Sequence, residues 1–137
     1  MNEAESKLVE ALRSGKYQQG RQVLRNSFLH TSDKFYCCLG VACEISGLGH
    51  WEIRSIGDSF VEETDSRTSL TLNVRKWLHW SHEGGLVIHP VTRDVLMSAD
   101  GGPITLMRLN DSEFTFPQIA DIIQANMIEH GEEPSSF

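Results

Sequence analysis

Asp33-Lys34-Phe35-Tyr36-Cys37-Cys38-Leu39-Gly40-Val41-Ala42-Cys43-Glu44 is a largely apolar run that changes character partway and holds all three cysteines of the chain. Lys34 to Cys37 reads as extended, whereas Cys38 to Ile45 is a compact apolar stretch that reads as a buried helix. Ser46-Gly47-Leu48-Gly49 then stops the helix. A strand that feeds directly into a buried helix must have both pieces in the core, so the run predicts an α+β domain with the cysteine segment as its joint. The expected architecture is helices packed on a short, mostly antiparallel sheet.

The 137 residues suit one domain, expected over 1–131, with 132–137 as a flexible acidic tail. A chain of this size buries roughly two thirds of the surface its unfolded form exposes. Its longest apolar runs are far short of a membrane span, and Glu3, Glu5 and Lys7 leave no hydrophobic signal region at the N-terminus. The expectation is a cytoplasmic protein. Three cysteines are an odd number and two are adjacent, which argues for reduced thiols over a disulfide framework.

The net charge of −7 opposes non-specific DNA binding, which needs a surplus of Lys and Arg. The charge is also unevenly spread. Residues 7 to 34 carry Lys7, Arg13, Lys16, Arg21, Arg25 and Lys34 against Glu10 and Asp33, while six acids and no base follow Arg108. Either the two ends pack together and neutralise each other, or one end presents a basic pocket or an acidic face to a partner.

The first helix is expected from about Asn2 to Ser14, with Asn2 and Glu5 spaced as a capping box and Leu8, Val9 and Leu12 on one face. A second is expected from Gln18 to Phe28. Trp51, Ile53 and Ile56 alternate like a short strand, and the polar stretch from Gly57 to Arg67 reads as a loop. Thr71 to Trp80 reads as a helix closed by Gly84-Gly85. Leu86 to Ile88 and Val95 to Met97 flank a turn and predict a hairpin, with a further strand over Ile104 to Leu109. In the last helix Thr115 caps with Gln118 three residues on, Pro117 lies in the first turn, and Phe116, Ile119, Ala120, Ile123 and Met127 face the core up to Gly131.

Two stretches carry a resemblance: Leu12-Arg13-Ser14-Gly15-Lys16-Tyr17-Gln18-Gln19-Gly20 and the cysteine segment. With Trp77-Leu78, Leu109-Asn110-Asp111 and Phe116-Pro117-Gln118-Ile119-Ala120-Asp121, they resemble a group of small uncharacterised proteins common in bacteriophage genomes. Ala42 in place of leucine, Glu44 of aspartate and Thr115 of serine are mild departures from that group's pattern. The resemblance covers most of the chain and implies a phage origin, a host-cytoplasmic setting and an accessory role. It brings no assigned chemistry.

Cys38 at a helix start could have its thiolate stabilised by the helix dipole, and His89 and Asn110 follow it in the papain order Cys, His, Asn. With six histidines in the chain such an order arises easily by chance. A cysteine in so apolar a segment is also a small hydrophobe. His79-x-x-His82 would share a helical face, but without a C-x-x-C pair no metal site is read, and no cofactor is expected. Lys16, Tyr17 and Arg21 combine cations with an aromatic face beside glycines, a composition suited to a small anionic nucleotide-type ligand. Asn110 and Asp111 could join them, or could satisfy loop and helix-entry backbone. Trp77 and Trp80, three apart, serve core or interface, with core favoured for Trp77.

Three functions from different classes remain. One is an accessory protein that occupies or inhibits a host protein, for example a defence or nucleic-acid-handling protein. The second is sequestration of an anionic nucleotide through Lys16, Tyr17, Arg21, Asn110 and Asp111. The third is a thiol peptidase or amidase using Cys38, His89 and Asn110. The absence of assembled catalytic machinery in the sequence favours the first.

Overall fold

The computed structural model describes residues 1–27 and 32–131. Helix α1 (Glu3–Arg13) opens with the capping box its spacing predicts: Asn2 accepts from the Glu5 N–H and Glu5 accepts from the Asn2 N–H. Ala4, Leu8, Val9 and Leu12 are buried along one face. They pack on the final helix and on the cysteine helix, and each larger aliphatic contributes about 1.5–3 kcal/mol through its burial.

The cysteine segment folds as the joint it was expected to be. Strand β1 (Gln18–Gln19), β2 (Arg25–Ser27) and β3 (Lys34–Tyr36) form a sheet in the order β1-β3-β2, with β1 parallel and β2 antiparallel to β3. After Cys37 the chain turns at once into α2 (Cys38–Ser46), whose residues 38–43 are all buried. A side chain at position 40 has no room: a Cβ there would lie 1.8 Å from the Leu24 carbonyl oxygen. Gly40 is therefore required by the approach of Leu24, the residue just before β2, to the helix.

The helix expected over Gln18 to Phe28 is not formed, and Phe28 lies outside the described residues. Gly20 donates its N–H to the Tyr36 carbonyl, and Leu24 donates to Arg67 while accepting from Cys37. Gln22 takes φ +73 between them. These backbone groups find partners across the sheet, which outweighs helix propensity in a stretch already weakened by a glycine.

A second three-stranded sheet follows, β4 (His50–Glu52), β5 (Ser59–Val61) and β6 (Asp65–Ser66), antiparallel throughout in the order β4-β5-β6. The Gly57–Arg67 stretch is thus not a simple surface loop. Phe60 fills the core, and Asp58 is fully buried between the two sheets. Asp58 accepts from Arg25 Nε at 2.7 Å, Ser27 Oγ at 2.5 Å and the Arg54 N–H at 3.2 Å. The Arg25 guanidinium lies 4.5 Å from the Trp51 ring centre. Ile53 and Ile56, read as continuing the Trp51 strand, lie outside β4 and are exposed.

Helix α3 (Leu72–Leu78) has Thr71 at its N-cap position, but its first N–H groups are met from outside: Leu72 donates to the Thr64 hydroxyl oxygen and Asn73 to Glu62, which also accepts from the Thr71 hydroxyl. It ends at His79 in the left-handed region, so His79 and His82 do not share a helical face and Gly84-Gly85 lies beyond the element. Trp80, open between core and interface in the sequence, is buried, while Trp77 is partly buried against the core. The buried Glu5 explains the burial of Trp80, since its carboxylate accepts from Trp80 Nε1 at 3.0 Å and meets His130 Nε2 at 3.0 Å.

The 86–97 hairpin is present as a bridge between Ile88 and Val95. The strand expected over Ile104 to Leu109 is instead α4 (Leu106–Asp111), capped by Thr105. Helix α5 (Phe116–Gln124) has its Thr115–Gln118 capping box and Pro117 in the first turn. It stops at Ala125 rather than Gly131, because Ile128 and His130 bridge back to Val87 and Trp80. Among the described residues, five helices and the two sheets share one hydrophobic core. The expected acidic tail, 132–137, lies outside the described residues.

Candidate functional site

At the start of α2 two forces act on the thiols in opposite directions. The helix dipole and neighbouring N–H groups favour a thiolate, and Cys37 Sγ accepts from the Gly40 N–H at 3.3 Å. Burial opposes it and wins. Desolvation pushes Cys37 up to about 12 and lifts Cys38 and Cys43 well above the ordinary thiol value. Cys38 Sγ points to the Leu106 carbonyl at 3.7 Å.

His89 is exposed, and its Nδ1 accepts from the Val91 and Thr92 N–H groups at 3.1 Å each, closing its own turn. Of Cys38, His89 and Asn110, the structure brings together only Cys38 and Asn110. They meet through the Cys38 backbone N–H, which donates to Asn110 Oδ1 at 3.2 Å. The papain-like arrangement is not assembled.

Asn110 is fully buried and is the centre of a seam between the N-terminal sheet and α4. Its Oδ1 also accepts from Gln19 Nε2 at 2.9 Å, and its Nδ2 donates to the Gly20 carbonyl at 2.9 Å. Gln19 in turn donates to the Phe114 carbonyl at 2.8 Å and accepts from the Phe116 N–H at 3.2 Å, one of the unpaired donors at the start of α5. Cys38 is the first residue of α2, so Asn110 satisfies that helix end from a distance, as Gln19 does for α5. Next along, Asp111 accepts from the Gln22 N–H at 2.7 Å and Arg21 Nε donates to the Ser112 carbonyl at 3.0 Å.

The five residues expected to hold an anionic ligand therefore divide. Arg21, Asn110 and Asp111 join the seam, where the Gly20-Arg21-Gln22 turn and Asn110-Asp111-Ser112 bind each other. Lys16 and Tyr17 lie on the other side of β1, lining an open groove of about 280 Å³ with Gln18, Lys34, Tyr36 and Glu44. The Tyr17 ring meets Tyr36 edge-on at 5.2 Å, and Lys16 Nζ is 5.5 Å from the Tyr17 ring centre. Tyr36 continues through Trp51 to Phe60 as an edge-to-face aromatic series. Its phenol is pushed above its ordinary value, first by burial and then by Glu44.

Glu44 accepts from Trp51 Nε1 at 3.0 Å and faces the Tyr36 hydroxyl at 3.5 Å. Sequence reasoning misses Lys34, Tyr36 and Glu44 as site residues, and takes Gln19 as an amide of the Lys16 to Arg21 turn rather than as a structural bond. The signal for Lys34 and Tyr36 was their two-residue spacing on a strand, which puts both on one face.

The opposed charges of the two ends meet in part. Arg13 on α1 pairs with Asp121 on α5 at 2.7 Å. His82 Nδ1 accepts from the Gly84 N–H at 2.9 Å. Among the described residues no three His, Cys, Asp or Glu side chains gather as a metal site requires. No helix there is long and apolar enough to cross a membrane.

Fold and seam together define a small α+β domain in which buried amide side chains hold the N-terminal sheet to the C-terminal helices. The chain belongs to the family described as Domain of unknown function (DUF8296), which matches residues 1–127. No curated protein and no solved structure matches it.

Proposed function

We propose that this is a phage-encoded accessory protein that works in the host cytoplasm by occupying, and thereby inhibiting, a host protein. The observation that carries the reading is the set of exposed aliphatic side chains on the segments that flank β4. Leu48, Ile53 and Ile56 flank this strand and are 43%, 57% and 67% exposed. β4 is also the edge of its sheet, with one side of its backbone unpaired by β5. Branched aliphatics beside a strand edge are a common basis for partner recognition by strand addition. The net charge of −7 favours a partner with a basic face, as nucleic-acid-handling and some defence proteins have. The phage origin rests on the motif resemblance.

The test compares the tagged wild-type protein with an Ile53→Asp/Ile56→Asp variant in capture from host lysate. Both positions are exposed, so the fold, checked by circular dichroism, is expected to be unchanged. A stoichiometric host protein held by the wild type and lost by the variant supports the reading. Equal retention by both, or retention by neither, refutes it.

A further inference from the structure

We propose that the groove between Lys16, Tyr17, Lys34, Tyr36 and Glu44 binds a nucleoside monophosphate with a guanine-type base. The phosphate would sit between the two lysines, and the base would lie against Tyr17 with its donor edge toward Glu44. This goes beyond partner binding at β4 and stands or falls independently of it.

The size of the groove, about 280 Å³, lies just below the usual range of ligand sites, about 300–1,000 Å³, and leaves room for no more than one nucleotide. Lys34 and Tyr36 point into it from one face of β3, while Lys16 and Tyr17 reach it from the segment leading into β1, which runs parallel to β3. Lys16 over the Tyr17 ring places a cation and a π-face side by side. An exposed cation–π contact is weaker than a charge-assisted hydrogen bond to phosphate, so Lys16 can exchange one for the other.

Charge sets the number of phosphates. Lys16 and Lys34 are balanced by Asp33 and Glu44 in the same lining. The lining is therefore already neutral, so every phosphate adds negative charge near Asp33 and Glu44, and a single phosphate held between the two lysines adds the least. The base follows from Glu44, because a carboxylate only accepts hydrogen bonds. One of its oxygens is held by Trp51 at 3.0 Å, but the other is only at the limit of hydrogen bonding to Tyr36, at 3.5 Å. Each carboxylate oxygen has two lone pairs, so both oxygens keep acceptor capacity for a pair of adjacent donors. Guanine presents an adjacent N1–H and 2-amino group, while adenine's Watson–Crick edge alternates donor and acceptor.

The experiment is calorimetric titration of the full chain with GMP, and with AMP, IMP and inorganic phosphate as comparison probes. The expected result is saturable one-to-one binding of GMP, weaker binding of IMP and AMP, and weaker still of phosphate. Each lysine–phosphate contact is a charge-assisted hydrogen bond, so Lys16→Ala and Lys34→Ala should each weaken GMP by about tenfold. Both are exposed and leave the fold intact. Glu44→Gln retains an oxygen for Trp51 and should erase the preference for GMP over AMP. Absence of saturation at millimolar GMP, unchanged affinity in the lysine variants, or a base preference that survives Glu44→Gln overturns the proposal.

Discussion

Replacing Asn110 by alanine removes a side chain that three separate parts of the chain depend on, and the cost can be estimated contact by contact. The Cys38 N–H at the start of α2 is buried and has Asn110 Oδ1 as its acceptor. Leaving such a donor unpaired costs about 1–3 kcal/mol. The Gly20 carbonyl and Gln19 Nε2 each lose one bond, although Gln19 Nε2 keeps the Phe114 carbonyl. These two add about 1 kcal/mol each. The total of about 3–5 kcal/mol is a large share of the 5–15 kcal/mol that separates a typical folded domain from its unfolded state. For a chain of this size it should lower Tm by at least about 10 °C.

Urea unfolding followed by tryptophan fluorescence measures the loss, with Asp111→Ala as the neighbouring control. Asp111 is exposed and its side chain makes one bond here, to the Gln22 N–H, so that variant should lose only about 1 kcal/mol. If Asn110→Ala is no less stable than Asp111→Ala, the seam is not what holds the N-terminal sheet to the C-terminal helices.

Gly40→Ala should fail to accumulate as folded protein, since the added Cβ meets the Leu24 backbone 1.8 Å away and backbone cannot rotate aside; a soluble variant with native circular dichroism would contradict the packing. All three thiols should react with a disulfide reagent at pH 8 far more slowly than free cysteine until urea is added, because burial raises each of them. Cys38 reacting at the free rate in the native protein, located by mass spectrometry of the labelled peptide, would revive it as a nucleophile. The carboxyl of Asp100 is held below the usual carboxylate range by Ser98, then by the Gly102 N–H and Arg108. A depressed folded value means that its stabilising effect is present above the unfolded value of 3.8 and is lost as pH falls through the folded one. Asp100→Asn should therefore reduce Tm near pH 6 by an amount that shrinks progressively below pH of about 4; a difference that grows on acidification would reverse the assignment.

How legible each element was in the sequence depended on where its partners lie in the chain. Both capping boxes and the cysteine joint were readable, because Asn2 with Glu5, Thr115 with Gln118, and Tyr36 with Cys38 act within a few residues of each other. The stretch from Gln18 onward reads as a helix in sequence, because the partners that hold it extended are distant: Tyr36, Arg67 and the C-terminal end of α4 with its cap Ser112. Asp58 was missed for the same reason: a buried carboxylate in a polar run becomes visible only when Arg25, on another sheet, is placed against it.

The candidate site follows the same division. Gln19 and Asn110 are 91 residues apart, and either one alone looks like a surface amide or a ligand-binding one. Read together they are each other's ligand, so the composition that suggested a phosphate site along Lys16 to Arg21 is partly consumed within the fold. Asn110, Asp111 and Arg21 hold the turn, and what the turn leaves outward is Lys16 and Tyr17. A site built on these two must take its remaining groups from the strand beside them and the helix that follows. Lys34, Tyr36 and Glu44 supply them within eleven residues of one another, all inside the segment that also fixes the fold.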